Sequence, residues 1–227
     1  MTTRLTRLWN RLINLGFRLL YNELAFTYDV VSWIVSLGAW RCWVGTSLKY
    51  LSGQSPVLEL AHGTGNLQLD LHAAGYRTIG YDLSSAMGKV ASAKLKRHGV
   101  TLRLTRGKAE QLPFASNSFA AVVSTFPTDF ILAPETIREV YRVLRPDGMF
   151  VIVPNAVLVG GGVIGKMLEW LYTVTGQRGG VSNREAIALL FAPFEIDITE
   201  EKCPRSVVTV IIGRKAKIEG DSMPDDC

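Results

Sequence analysis

A chain of 227 residues has room for one domain with a well-buried core, and two complete domains would be cramped. An apolar content of 48% with a mean hydropathy of +0.18 excludes disorder through the body of the chain and leaves room for a greasy face. The net charge of +5 is unevenly spread: Arg4, Arg7, Arg11 and Arg18 stand without an acid in the first 22 residues, whereas Asp221, Asp225 and Asp226 close the chain.

Residues 4–20 carry Leu5, Leu8, Trp9, Leu12, Leu19 and Leu20 at spacings of three, four and seven, with the arginines on the other side, which predicts an amphipathic helix. Such a helix lies in a membrane interface or packs on the protein's own core. Val57 to Ala61 is a short apolar run after Pro56, ending in His62-Gly63-Thr64-Gly65. A helix follows to about Ala74 and stops at Gly75. Arg77 to Asp82 predicts a second strand, and Ser84 caps a helix through Arg97 that Gly99 closes. Val100 to Thr105 alternates as a third strand, and Phe119 to Ser124 forms a fourth. Pro134 opens a helix to Leu144, and Pro146-Asp147-Gly148 turns it into the strand Met149 to Val153. A glycine-broken insert comes next, then a helix from Asn183 to about Ala192 and two β-rich runs, Phe194 to Thr199 and Val207 to Ile212.

Seven strands with helices between most of them predict an α/β fold, a doubly wound and mainly parallel sheet covered on both faces. The last two runs have no helix between them and should pair antiparallel. The expected organisation is an N-terminal helical lid or membrane-interface segment over 1–50, one ligand-binding domain over 51–213 with an insert at 155–182, and a disordered tail over 214–227.

No stretch is both long and clean enough to span a bilayer, which takes about 20 apolar residues. Leu24 to Val44 carries Asp29 and Arg41, and Phe150 to Gly165 is broken by Pro154 and Asn155. A secretory signal fits poorly because arginines recur along the N-terminal segment, although an Arg-rich, acid-poor start is also the signature of a mitochondrial transit peptide. Cys42, Cys203 and Cys227 form no close pair and no metal-ligand spacing, so unpaired thiols, a reducing compartment such as the cytoplasm, and no metal are expected. Without a basic stripe carrying interleaved aromatics, nucleic acid is not an expected partner. Lipid headgroups suit the basic start better.

Open α/β sheets bind ligands outside the carboxyl ends of their strands, where strand order reverses. The turn after the first strand is therefore the candidate site. Gly63 and Gly65 allow close approach of backbone to a ligand, and the helix beginning near Asn66 offers free N–H groups. A dinucleotide fingerprint wants a third glycine at position 68, where Gln68 stands. Glu59, inside the strand, is placed to orient the loop or meet an ammonium group. Asp82, 17 residues beyond Gly65, is placed to accept from ribose hydroxyls.

Four segments together resemble the class I S-adenosylmethionine-dependent methyltransferases. Val57 to Leu67 (VLELAHGTGNL) looks like their first motif, Gly80 to Met87 (GYDLSSAM) their second-strand motif, Gly107 to Phe119 (GKAEQLPFASNSF) the segment over adenine, and Glu139 to Gly148 (EVYRVLRPDG) the helix and turn before the fifth strand. The resemblance implies S-adenosylmethionine as cofactor. Ala61, His62, Gly63 and Gly65 would then line its methionine part, with Glu59 behind them, and Asp82 would hold the ribose. Leu83 and Met87 would flank adenine, Ala109 and Glu110 would lie at its edge, and Thr125 would face the sulfonium. The chain departs from the pattern at Lys108, where an acid usually meets the adenine amino group, at Ala120, and at His62, expected to narrow the donor pocket.

Tyr28-Asp29, Ser36-Leu37-Gly38 and Trp43 are similar to the entry region of the ubiquinone and menaquinone biosynthesis C-methyltransferases, and bacterial phospholipid N-methyltransferases share parts of it. Methyl transfer needs a general base only if the acceptor must shed a proton, and the candidates are His62, Tyr28 and Asp129. The apolar insert and N-terminal segment imply a small hydrophobic acceptor, quinol-type or otherwise lipid-like, reached from a membrane surface. Competing readings are a phospholipid headgroup N-methyltransferase and a non-catalytic cofactor-binding membrane adaptor.

Overall fold

The computed structural model describes residues 16, 19, 21–51, 53–159 and 190–216. Seven strands form one sheet: β1 (Val57–Leu60), β2 (Thr78–Asp82), β3 (Leu104–Arg106), β4 (Phe119–Thr125), β5 (Leu144–Leu158), β6 (Phe194–Cys203) and β7 (Ser206–Lys215). Their order is β3-β2-β1-β4-β5-β7-β6, with β1 to β5 parallel and β7 inserted antiparallel between β5 and β6. The helices are α1 (Tyr28–Val35), α2 (Trp40–Gly45), α3 (Asn66–Ala73), α4 (Ser85–Arg97) and α5 (Pro134–Val143). The expected doubly wound α/β fold with an antiparallel end is what the chain forms.

Alternation along the strands divides the core into two layers. Leu58, Leu60, Val122, Phe150 and Ile152 face one side, where Ile137, Val140 and Val143 of α5 pack with Phe191 and Phe194. Val57, Ala121, Val123, Val151, Val153 and Ile212 face the other, against Leu67 and Leu71 of α3 and Trp43 and Val44 of α2. Both faces are buried, as a mainly parallel sheet requires. The strand order reverses between β1 and β4, and Ser124 Oγ donates to the Leu60 carbonyl across that point.

Four expectations are corrected. The third strand is shorter and later than Val100 to Thr105, because the amides of His98, Gly99 and Val100 are spent closing α4 on the carbonyls of Leu95 and Lys96. The turn at Pro146 to Gly148 becomes a bulge inside a long β5, where pairing jumps from Phe119↔Leu144 to Ala121↔Met149. β6 and β7 form a longer hairpin than predicted, so Arg214 and Lys215 belong to the sheet and not to a tail. The buried Lys215 ammonium donates to the carbonyls of Tyr141 and Leu144 and to Asn117 Oδ1.

The fourth correction concerns the thiols: Cys42 in α2 and Cys203 at the end of β6 form a disulfide across a sequence separation of 161, with Cα atoms 6.0 Å apart. The argument for a reducing compartment therefore loses its ground. Beside this bridge, Trp43 is 1% exposed and its Nε1 donates to Ser206 Oγ at 2.7 Å, so α2 is fastened to the sheet. Among the described residues no helix is long and apolar enough to cross a membrane. The expected helix over 4–20 (apart from residues 16 and 19), most of the insert, the helix from Asn183 up to residue 189, and the tail beyond 216 lie outside the described residues.

Candidate functional site

A cavity of about 440 Å³ opens at the carboxyl ends of β1, β2 and β4, beside the point of strand reversal. Its floor is the loop after β1. Ala61 and Gly63 take positive φ of 56° and 52°, bending the chain sharply where the strand ends, and Ala61 N donates to the Tyr81 carbonyl. Gly63 N donates to Asp82 Oδ2 at 2.9 Å, and Ser84 N donates to Asp82 Oδ1 at 2.8 Å. One carboxylate thus ties the loop of β1 to the tip of β2 while lining the cavity.

The far wall is built by Leu83, Met87 and the segment Gly107 to Glu110. A Cβ at Gly107 would lie 1.9 Å from Tyr81 Oη, so only glycine lets this segment close. α5 clamps the continuation of this segment at Leu112 and Phe114. Glu139 accepts from Leu112 N at 2.7 Å and pairs with Arg142, whose guanidinium donates to the carbonyls of Leu112 and Phe114. This is why the motif on α5 and the motif after β3 occur together: one holds the other. The hydrogen bond from Arg142, then that from the Leu112 amide, holds the Glu139 carboxyl below its ordinary range against the opposing effect of burial.

The near wall is aromatic. Tyr21 and Tyr28 stand with ring centroids 5.8 Å apart, and Phe126 and Phe130 line the cavity with Thr125 and Thr128. Phe126 holds a φ of 50° and stacks on Trp40 at 4.5 Å. Burial, then the neighbouring Tyr21, pushes the Tyr28 phenol far above its ordinary value, so it stays protonated.

Most predicted residues converge on the cavity: Ala61, Gly63, Asp82, Leu83, Met87, Ala109, Glu110, Thr125 and Tyr28 all line it. Four others do not. Glu59 is buried behind the loop and accepts from Gln68 Nε2 at 2.6 Å, while Gln68 Oε1 accepts from Thr78. Burial pushes its carboxyl up to about 8. Gly65 packs its backbone on α4, where an added Cβ would sit 3.0 Å from Ala91 Cβ. His62 turns away into a cleft between α4 and β3, its Nδ1 2.9 Å from the Gly63 carbonyl, so it does not narrow the cavity. Desolvation lowers its pKa, opposed by Asp82, and leaves the ring neutral near pH 7. Asp129 is exposed and its side chain is not among the lining groups, although Thr128 and Phe130 on either side are.

A second network escaped the sequence. Asp29 of α1 accepts from Thr64 Oγ1 at 2.6 Å, Asn66 Nδ2 at 2.9 Å and Lys94 Nζ at 2.6 Å. Lys94 also donates to Thr64 and Asn66. This latch fastens α1 onto the loop that floors the cavity. Burial opposes ionisation of Asp29, but its hydrogen bonds and the Lys94 charge hold its pKa below the ordinary range. Ser84 adds a second fastening, donating to the Tyr21 carbonyl at 2.6 Å. Only the adjacency of Tyr28-Asp29 hinted at either contact.

The cavity lining suits an adenosyl amino acid: the Asp82 carboxylate beside the loop residues Ala61 and Gly63, the apolar side chains Leu83 and Met87, and the segment from Gly107. Among the described residues no group of three or more His, Cys, Asp or Glu forms a metal site.

Comparison with known proteins agrees with this geometry. Residues 57–148 match the family described as methyltransferase domain. The demethylmenaquinone methyltransferase of Thermus thermophilus is 32% identical over 139 residues, covering 59% of this chain and 63% of that protein. Its counterpart in Lactiplantibacillus plantarum is 35% identical over 146 residues, covering 60% and 61%. The chain thus spans less than two thirds of these relatives. A longer match, 28% identical, reaches 80% of this chain and 77% of the demethylmenaquinone methyltransferase of Chlorobaculum tepidum. The fold is shared with an S-adenosylmethionine-dependent methyltransferase of Thermotoga maritima, at a TM-score of 0.56 and 20% identity over 84% of this chain and 96% of that one. Residues 57–148 therefore form a class I S-adenosylmethionine-dependent methyltransferase domain, resembling those of the ubiquinone and menaquinone biosynthesis C-methyltransferases.

Proposed function

We propose that the protein transfers a methyl group from S-adenosylmethionine to a small hydrophobic acceptor, with a quinol-type carbon as the acceptor atom. The observation that carries this reading is one cavity lined both by Gly63 and the Asp82 carboxylate and by the aromatic side chains Tyr28, Phe126 and Phe130. The names of the relatives, demethylmenaquinone methyltransferases, support the quinone class.

When bound, the donor supplies an electrophilic methyl on a sulfonium, and its displacement needs little covalent help. In this reading Asp82 accepts from the ribose hydroxyls, Leu83 and Met87 sandwich the adenine, and Ala109 and Glu110 lie at its edge. Ala61 and Gly63 meet the methionine part, and Thr125 faces the reacting end. Glu59, Gly65 and His62 act from behind by fixing the loop. The aromatic wall orients the acceptor and excludes water, which is where proximity and a low-dielectric surrounding raise the rate. Tyr28, kept protonated by burial, serves as a hydrogen-bond donor and not as a base. Residues 1–50 are the lid of this site, residues 155–182 its acceptor-side insert, and residues 1–20 a peripheral contact with a membrane.

Incubating the full chain with methyl-labelled donor and either a short-chain demethylmenaquinol or phosphatidylethanolamine tests the reading. Label in the quinol alone is expected. Label in the phospholipid alone would reassign the acceptor, and label in neither, despite donor binding, would favour a non-catalytic adaptor.

A further inference from the structure

The outer face of α1 and of the turns flanking it carries Leu24, Phe26, Val30, Trp33, Ile34 and Leu37, exposed by 44, 70, 60, 63, 55 and 39%. Val30, Trp33 and Ile34 share one face of α1 at offsets of three and four, with Phe26 on the turn before the helix and Leu37 on the turn after it. The one charged residue within the stripe, Asp29, is partly exposed but paired with Lys94 and bonded to Thr64 and Asn66, and Glu23 precedes Leu24 at its start. Apolar residues scattered singly need no explanation, but a contiguous row of this size marks a surface that meets something.

Charge says what that is. The stripe follows directly on a segment with four arginines and no acid, which suits an anionic surface and sets two copies of the chain against each other. Trp33, at the middle of the stripe, is a side chain favoured at the boundary between headgroups and acyl chains. Tyr28 of the same helix lines the cavity, so the helix that carries the stripe also forms part of the cavity wall. Val157 and Val159, at the carboxyl end of β5, are exposed by 54 and 56% at the same edge of the sheet.

We propose that the stripe from Phe26 to Leu37 seats the protein on an anionic lipid bilayer, with the cavity mouth turned toward the lipid. The inference concerns a surface and holds whatever acceptor is methylated. It also differs from an anchor confined to residues 1–20, because it places the decisive contacts on α1.

Flotation of the full chain with phosphatidylglycerol–phosphatidylcholine vesicles tests it, with S-adenosylhomocysteine affinity measured in parallel. The wild type is expected to float, and Trp33→Ser combined with Ile34→Ser to lower the floated fraction at least five-fold while leaving that affinity unchanged. Flotation equal to wild type would overturn the proposal. So would a fall in thermal midpoint with unchanged flotation, which would mean that the chain's own residues cover the stripe. A change in sedimenting mass with unchanged flotation would point to a second copy and overturn it equally. Should the double variant misfold, quenching of tryptophan fluorescence by brominated lipid, in a Trp9→Phe, Trp170→Phe background, decides: Trp33→Phe is expected to remove most of the quenching, and undiminished quenching contradicts the assignment. Failure of the wild type to bind S-adenosylhomocysteine would count against the functional reading and leave the flotation result standing.

Discussion

Asp82 and Glu59 show how two carboxylates 23 residues apart take opposite parts. Asp82 sits at a strand tip with two backbone amides fixing its orientation and the cavity before it. Glu59 is 2% exposed inside β1, where desolvation raises its pKa to about 8. A carboxyl whose folded pKa is raised contributes stability that is complete below its unfolded value, near 4.5, and is lost as pH climbs through about 8. Between those limits the slope is about 1.4 kcal/mol per pH unit. Glu59→Gln keeps an acceptor for Gln68 and removes the titration. Its unfolding free energy, from denaturant melts at pH 5 to 8, should stay flatter than that of the wild type and exceed it at pH 8. Parallel pH profiles for the two proteins would contradict the assignment.

Among the elements, α1 brings Tyr28 into the cavity wall, and it is fastened by the Asp29 latch to the loop after β1 and to Lys94. Asp29→Asn leaves the Lys94 ammonium, only 11% exposed, without its counter-charge. A charge-assisted hydrogen bond of this kind contributes about 1.5–3 kcal/mol, so partly exposed Asp29 should be worth about 1–2 kcal/mol. The variant should bind S-adenosylhomocysteine several-fold more weakly. Because the folded pKa of Asp29 is lowered, its contribution is present above the unfolded value and disappears as pH falls below it, so wild type and variant should converge in acid melts. Equal affinity and stability at pH 7 would remove the latch from the account.

At this scale the sequence told much, and its failures have physical reasons. The short apolar runs of β1, β4 and β5 and the capped start of α4 are local signals, so those elements were readable. Length at the sheet's edges was not, because pairing of β3 and of the β6–β7 hairpin is settled by neighbours far along the chain. At the site, Asp82 and Gly63 line the cavity because a strand tip and the turn after it have one accessible side, whereas Met87 was reached only through the family resemblance. His62 could not be placed, since the positive φ of Ala61 redirects the chain just before it. The Asp29 latch joins residues 35 and 65 positions apart, which no spacing rule reaches.

For the whole molecule, the disulfide between Cys42 and Cys203 joins the N-terminal helices to the last hairpin and closes a loop of most of the chain. Constraining so long a loop in the unfolded chain is worth about 2–5 kcal/mol. Cys42→Ser, or a reductant, should lower the denaturation midpoint accordingly, whereas Cys227→Ser should not. An identical midpoint with and without reductant would show that the bridge does not form in solution. The bridge, the Trp43–Ser206 hydrogen bond and the Asp29 latch together make the N-terminal helices part of the cavity's frame.

The account rests on Asp82 and the bend after β1 gripping the adenosyl donor together, and calorimetric titration with S-adenosylhomocysteine tests that most directly. The wild type should bind one equivalent saturably, and Asp82→Ala should weaken binding about 10- to 100-fold, the loss of charge-assisted hydrogen bonds worth about 1.5–3 kcal/mol. No saturable heat from the wild type, or equal affinity in the variant, would contradict it.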